Sequence, residues 1–271
     1  MSADRPGFDA LTREISRTAG LSLDAYKDKC LRRRIAVRMR ACGVHTYAEY
    51  QAVLARTPGE YEHLKDALTI NVTRFFRNAE TWERLAADYL PGLLARVPGV
   101  IRVWSAGCSS GEEAYGIAIL VAAAAAAAGD PRGPERVQVE ATDIDKRSLE
   151  RAAEARYRAE ALAETPADVL ARYFEPDADG WRVAAGVRRR VRVRRHDLGR
   201  EAPPGTFHLI VCRNVVIYFE RPTQERVFEA FVEALLPDGL LVLGKVETLF
   251  GPARERLQLA DPRERIYRRP A

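Results

Sequence analysis

Three short segments carry residues able to do chemistry. Ala106-Gly107-Cys108-Ser109-Ser110-Gly111-Glu112-Glu113 joins two glycines to a pair of acids. Thr142-Asp143-Ile144-Asp145 supplies a second acidic pair, and Cys212-Arg213-Asn214 a cation and an amide. Gly107 and Gly111 would let backbone and ligand approach closely. The loop is not the Gly-x-Gly-x-x-Gly fingerprint. Nor is it a phosphate loop, which would end Gly-Lys-Ser/Thr. The glutamates fall at an expected helix start, where a phosphate would want bare N–H groups and no like charge. A ligand there should present a cation instead. The same pair also suits a helix dipole, so alone it decides nothing. An acid at the tip of a second strand is where nucleoside-binding sheets hold two ribose hydroxyls.

The elements that must position these residues change along the chain. Residues 8–70 read as helical throughout, with Thr12, Ser22 and Thr46 as helix starts and Gly20 and Gly43 as stops. Leu31, Ile35, Met39 and Cys42 fall on one helical face. Lys27, Lys29, Arg32, Arg33, Arg34, Arg38 and Arg40 face a single acid there, Asp28. Arg34 and Arg38 share one edge; Lys29, Arg33 and Arg40 share the far side. Such a run reads as a solvated face or as a binding surface. From residue 100 the pattern becomes strand, loop, helix, repeated. Strands are expected at Val100–Ala106, Val137–Thr142, Phe207–Cys212 and Gly239–Leu243, and helices through the alanine run, at Lys146–Arg156 and at Pro222–Leu235. A terminal hairpin is expected at Leu257–Arg268. That alternation argues for an α/β fold with a mainly parallel sheet. Trp181–Arg195, with Val187, Val191 and Val193 among arginines, reads as a small antiparallel insert.

The chain has 271 residues, 47% apolar and 30% charged, with net charge +5. Disorder and a disulfide scaffold are excluded by that apolar content and only four cysteines. Cys30, Cys42, Cys108 and Cys212 form no Cys-x-x-Cys pair, which fits a reducing cytoplasm and predicts no metal site. The N-terminus lacks a signal-peptide core. The apolar run Gly116–Ala128 falls short of the ~18–20 residues of a membrane span, so no membrane insertion is expected. A ligand with a ribose, an amino-acid cation and no phosphate, bound at three strand tips, matches S-adenosylmethionine.

The same residues resemble the CheR family of chemoreceptor glutamate methyltransferases. The resemblance rests on Tyr26–Met39, on Leu68–Arg77 (Leu-Thr-Ile-Asn-Val-Thr-Arg-Phe-Phe-Arg), on Trp104–Tyr115 and Ala141–Asp145, and on Cys212–Phe219 (Cys-Arg-Asn-Val-Val-Ile-Tyr-Phe). It implies an all-helical N-terminal domain (1–70), an interdomain segment and helix (71–99) and a Rossmann-like S-adenosylmethionine-binding domain (100–271). A small β-subdomain is expected at about 176–195. It implies cofactor contacts from Asn71, Thr73, Arg77, Gly107, Glu113, Asp143, Asp197, Leu198, Arg213 and Asn214, with Tyr218 near the methyl group and S-adenosylhomocysteine as product. Phe75 and Phe76 are expected to be interdomain core. Asp197 stands where many members have Asn. Gly244-Lys245-Val246-Glu247 stands where many have Gly-His-Ser-Glu, and Lys245 is a candidate electrostatic substitute.

The implied reaction needs little machinery. A glutamate side chain, with pKa near ~4.3, is already ionised at neutral pH, so no general base is required. His45, His63, His196 and His208 lie in no recognised motif. Arg77 is expected to orient the acceptor carboxylate and Tyr218 to help position it. The partner implied is the cytoplasmic domain of a methyl-accepting chemoreceptor, met by Arg33, Arg34, Arg38 and Arg40 and by a second basic patch at Arg188–Arg195. The short turn Pro176–Gly180 argues for independence of a receptor tail tether. The protein is expected to be a cytoplasmic monomer at receptor arrays. A methyltransferase acting on nucleic acid or a protein amide is one alternative, but amino-methylating enzymes often carry an Asn/Asp-Pro-Pro-Tyr/Phe motif where Arg213-Asn214-Val215-Val216 stands, and no nucleic-acid partner is expected. A non-catalytic cofactor-binding module is the other alternative.

Overall fold

A computed structural model describes residues 4–19, 23–69 and 73–271. They form two compact units: residues up to 71 with Tyr218–Gln224, and residues 72–217 with 225–271. Gly20, Ser22 and Asn71 lie outside the described residues.

The first unit is built from helices α1 (Arg5–Ala19), α2 (Asp28–Ala41), α3 (Tyr47–Arg56) and α4 (Glu60–Leu68). Thr46 caps α3 as its type predicts. Its side chain accepts the Glu49 N–H, and the Glu49 side chain accepts the Thr46 N–H. Helix α2 stops at Ala41, and Gly43 turns the chain at φ +69°. Leu31, Ile35 and Met39 are buried, in line with their spacing. Thr12 is not a helix start: α1 begins earlier, and the Thr12 hydroxyl donates back to the Phe8 and Asp9 carbonyls. Segment 218–224 docks within this unit. The Lys27 N–H donates to the Tyr218 carbonyl at 2.9 Å, and the Tyr26 and Phe219 rings meet edge to face at 5.0 Å.

In the second unit, α5 (Ala79–Arg84) passes through one widened turn, Leu85–Tyr89, into α6 (Leu90–Arg96). The chain continues as β1 (Ile101–Ala106), α7 (Glu112–Ala127), β2 (Val137–Asp143), α8 (Lys146–Glu154), β3 (Arg156–Tyr157), α9 (Ala167–Tyr173), β4 (Phe174–Asp177), β5 (Gly180–Val183), α10 (Ala185–Arg188) and β6 (Val191–Arg195). It ends with β7 (Phe207–Cys212), α11 (Arg221–Ala234), β8 (Leu235–Leu243), α12 (Pro252–Arg256), β9 (Gln258–Asp261) and β10 (Ile266–Arg268). Seven strands form one sheet in the order β6-β2-β1-β7-β8-β10-β9. The first five run parallel; β10 and β9 close one edge antiparallel, as the terminal hairpin predicts.

Burial explains this arrangement. β1 and β7 are nearly continuous apolar runs because helices cover a parallel sheet on both faces. The alanines of α7 allow close approach: Ala114, Ala118, Ala122 and Ala125 are fully buried beside Ile117 and Val121. No described helix is long and apolar enough to cross a membrane. Buried Arg136 donates to the carbonyls of Leu94, Val97, Pro98 and Gly99, which closes the end of α6 just before β1.

The small antiparallel sheet differs in extent from the expected 176–195. It is β3-β5-β4, spanning 156–183. Val191–Arg195 leaves it and pairs parallel with β2, Val139 to Val191 through Asp143 to Arg195. The Val-Arg alternation gives one half-buried face but not the partner strand. Glu140 on β2 helps choose it, with Arg192 at 3.9 Å and Arg194 at 3.7 Å.

Candidate active site

Parallel strands end on one edge, and strand order reverses about β1. β2 lies on one side of it and the late strand β7 on the other. The crevice beyond those carboxyl ends is the expected ligand position in such a sheet. The glycine loop follows β1 there, Asp143 ends β2, His196-Asp197-Leu198 follows β6, and Arg213-Asn214 follows β7.

Glu113 lies in the first turn of α7. Ser105 donates its hydroxyl to Glu113 Oε1 at 2.8 Å, and Arg213 Nη1 stands 4.0 Å from Oε2. Burial pushes the Glu113 carboxyl up to about 7, against the pull of Arg213 and the Ser105 hydrogen bond. An acid so held gains most from a close cation. Asp143 accepts the Ser109 N–H at 2.8 Å and the Asp145 N–H at 3.0 Å. Burial raises its pKa while these N–H donors lower it. Two donors leave lone pairs on both carboxylate oxygens for hydroxyl groups. The His196 N–H donates to the Asp143 carbonyl at 2.9 Å, so Asp197 and Leu198 leave β6 beside the end of β2. Asp197 is buried and Leu198 half-buried. The Asp197 carboxylate accepts the Gly199 N–H at 3.0 Å.

Arg213 is buried and faces inward. It donates to the Arg77 carbonyl at 3.0 Å and to Asn78 Oδ1 at 2.9 Å, and its guanidinium lies 5.0 Å from the Trp82 ring centre. Arg213 thus ties the tip of β7 to the segment holding Thr73 and Arg77, both half-buried. Phe75 and Phe76, expected as interdomain core, are buried in the hydrophobic core of the second unit itself. Phe75 packs edge to face on Tyr157 and Phe174, at 4.8 and 5.1 Å between ring centres. These residues can hold an amino-acid cation at Glu113 and a ribose at Asp143.

Several expectations change. The space that a Cβ would take at Gly107 is filled by Val215, with Cγ2 at 2.5 Å, and at Gly111 by the Tyr157 hydroxyl at 2.8 Å. With φ of +82° and +97°, these glycines allow tight packing of the loop on its own protein neighbours. Arg34 and Arg38 are not on the outward face of α2. Arg34 is buried, donates to the Leu68 carbonyl, and lies 4.5 Å over the Tyr218 ring. Tyr218, half-buried, belongs to that helical unit with Arg34. Arg38 pairs with buried Glu60 at 2.7 Å, and the Tyr50 hydroxyl donates to the same carboxylate at 2.7 Å. Lys29, Arg33 and Arg40 are exposed, as is Val37 between them. Lys245 forms ion pairs with Glu80 and Glu264, each at 3.3 Å.

Sequence reasoning gave no role to Glu247, Ser105 or Tyr157. Glu247 is buried and accepts main-chain N–H groups from β7's following loop. The Tyr157 hydroxyl donates to the Ser110 carbonyl at 2.8 Å, linking the small sheet to the glycine loop. The Gly-x-x-Glu spacing at 244–247 was the available signal for the first.

Comparison with known proteins gives a consistent result. Residues 6–69 match the family model of the CheR methyltransferase all-alpha domain, and residues 71–265 that of the CheR methyltransferase SAM-binding domain. The chain is 37% identical over 260 residues to a chemotaxis protein methyltransferase of Klebsiella aerogenes, covering 92% of this chain and 85% of that one. It is 33% identical over 242 residues to one from Listeria monocytogenes, covering 89% and 90%. A Pseudomonas aeruginosa protein named as a probable biofilm formation methyltransferase, WspC, is 30% identical over 267 residues, covering 96% of this chain and 61% of that one.

Proposed function

The chain belongs to the CheR methyltransferase family and binds S-adenosylmethionine, and from that premise we propose that it methylates glutamate side chains of chemoreceptors. The observation that carries the reading is the pair of acids, Glu113 and Asp143, at neighbouring strand tips of a sheet that reverses order between them and Arg213.

S-adenosylmethionine, when bound, supplies a methyl group on a positively charged sulfur, and that carbon–sulfur bond breaks as a carboxylate oxygen becomes an ester. Glu113 binds the amino group of the cofactor's methionine part, for which its weakly compensated charge is suited. Asp143 accepts from the ribose hydroxyls. Asp197 and Leu198 border the adenine, while Thr73 and Asn71 contribute from the preceding segment. Arg213 and Asn214 form the floor. Arg77 orients the acceptor carboxylate and Tyr218 helps position it. The acceptor is ionised without help, so the protein's contribution is alignment, worth roughly 7–11 kcal/mol in well-oriented systems.

The outward stripe Lys29, Arg33, Val37 and Arg40 on α2 supports a partner that is acidic and partly apolar, as a glutamate-rich helical receptor surface would be. The reading places the protein in the cytoplasm beside receptor arrays, as an adaptation enzyme for chemotaxis-type signalling. Mass spectrometry of a receptor cytoplasmic fragment, incubated with the protein and S-adenosylmethionine, tests the reading. Methyl groups should map to glutamate carboxylates. Methyl on an amide or amine instead, or none while the cofactor binds, overturns it.

A further inference from the structure

Resting on the cofactor reading above, we propose that Glu247 is a positioning residue that sets the floor of the site through the main chain of Asn214 and Val215. Its side chain is buried, at 2% exposure. Its carboxylate gathers N–H groups from two strand ends at once. Oε2 accepts from Asn214 at 2.9 Å and from Gly244 at 2.7 Å, and Oε1 accepts from Val215 at 2.9 Å. Glu247 also closes its own turn, its N–H donating to the Gly244 carbonyl at 2.8 Å. One carboxylate thereby clamps the turn after β8 to the loop after β7.

The clamp holds a left-handed turn. Asn214 has φ +60°, a region asparagine enters more readily than other non-glycine residues, and its main-chain N–H there is met by Glu247. The next residue, Val215, fills the space beside Gly107, so its placement fixes the glycine loop in turn. Gly244 completes the device. A Cβ there would lie 2.7 Å from Glu247 Oε2 and 2.9 Å from the Asn214 nitrogen, a main-chain atom that cannot swing aside. Glycine at 244 and glutamate at 247 are thus two halves of one requirement. A neutral or shorter side chain at 247 leaves several buried N–H groups short of an acceptor.

The test is the affinity of the full chain for S-adenosylhomocysteine, by calorimetry, with a thermal melt of each variant. Glu247→Gln and Gly244→Ala should each weaken binding by at least about tenfold, the second with the acid still present. Asn214→Ala should weaken it too, and Glu247→Gln added to Asn214→Ala should cost no more than a further two- to threefold or so, because residues acting through one contact are not additive. A role confined to overall stability lowers the melting temperature and leaves the affinity of the folded protein unchanged. Additive effects, or Glu247→Gln within about twofold of the parent, overturn the proposal. If Glu247→Gln does not fold, Gly244→Ala carries the test; loss of fold in both makes Glu247 a folding determinant and also overturns it. A parent protein that fails to bind S-adenosylhomocysteine is a different result, since it removes the cofactor reading itself before any variant is compared.

Discussion

Glu113 makes the site pH-sensitive. Its carboxyl titrates at about 7 rather than at its ordinary 4.5 because burial disfavours the charge. Between those values the folded protein holds a proton that the unfolded chain releases. The corresponding stability is present at low pH and is lost as pH rises toward about 7. Cation binding has the opposite sign, because only the carboxylate attracts the ligand's amino group. S-adenosylhomocysteine affinity should therefore rise several-fold from about pH 6 to about pH 7.5, and Glu113→Gln should flatten that slope. A parallel slope in the variant, measured by calorimetry, would assign the titration to another group. Arg77→Ala should lower turnover on receptor by about 100-fold, the size of a misaligned reacting pair. Turnover within a factor of about two of the parent would remove Arg77 from the acceptor's contacts.

Helix α2 separates its cations by function. Arg38→Ala leaves the Glu60 carboxylate buried without its guanidinium and should cost about 3 kcal/mol in urea unfolding. Reversing Arg33 and Arg40 to glutamate should leave stability nearly unchanged but raise KM for receptor at low salt, an effect that fades as salt screens exposed charges. An unfolding midpoint unmoved by Arg38→Ala, or a salt-independent KM in the reversed variant, would contradict this division. The sequence spacing already separated Arg34 and Arg38 from Lys29, Arg33 and Arg40. It did not say which edge faced inward, because that depends on Glu60, Leu68 and Tyr218 arriving from elsewhere. The strand tips were legible for a local reason: the glycine loop, Asp143 and Arg213 each sit at the end of a short segment whose buried positions read as a strand. β6 was not, since a Val-Arg alternation is the same whether the neighbour is a hairpin partner or the distant β2. Glu247 stayed hidden likewise, as its contacts with Asn214 and Val215 span more than 30 positions.

At the scale of the whole chain, a helical unit with a basic face is joined to a sheet whose reversal point gathers the acids. Net charge of +5 suits an acidic receptor but would equally suit nucleic acid. The chemistry of the product discriminates more sharply than binding does. The decisive measurement is to incubate the protein with methyl-labelled S-adenosylmethionine and receptor-containing membranes, treat the labelled protein with mild base, and count volatile methanol. Glutamyl methyl esters hydrolyse under these conditions, so label should leave a receptor-sized band as methanol. Label that stays on the band through base would mean transfer to nitrogen and would contradict the account.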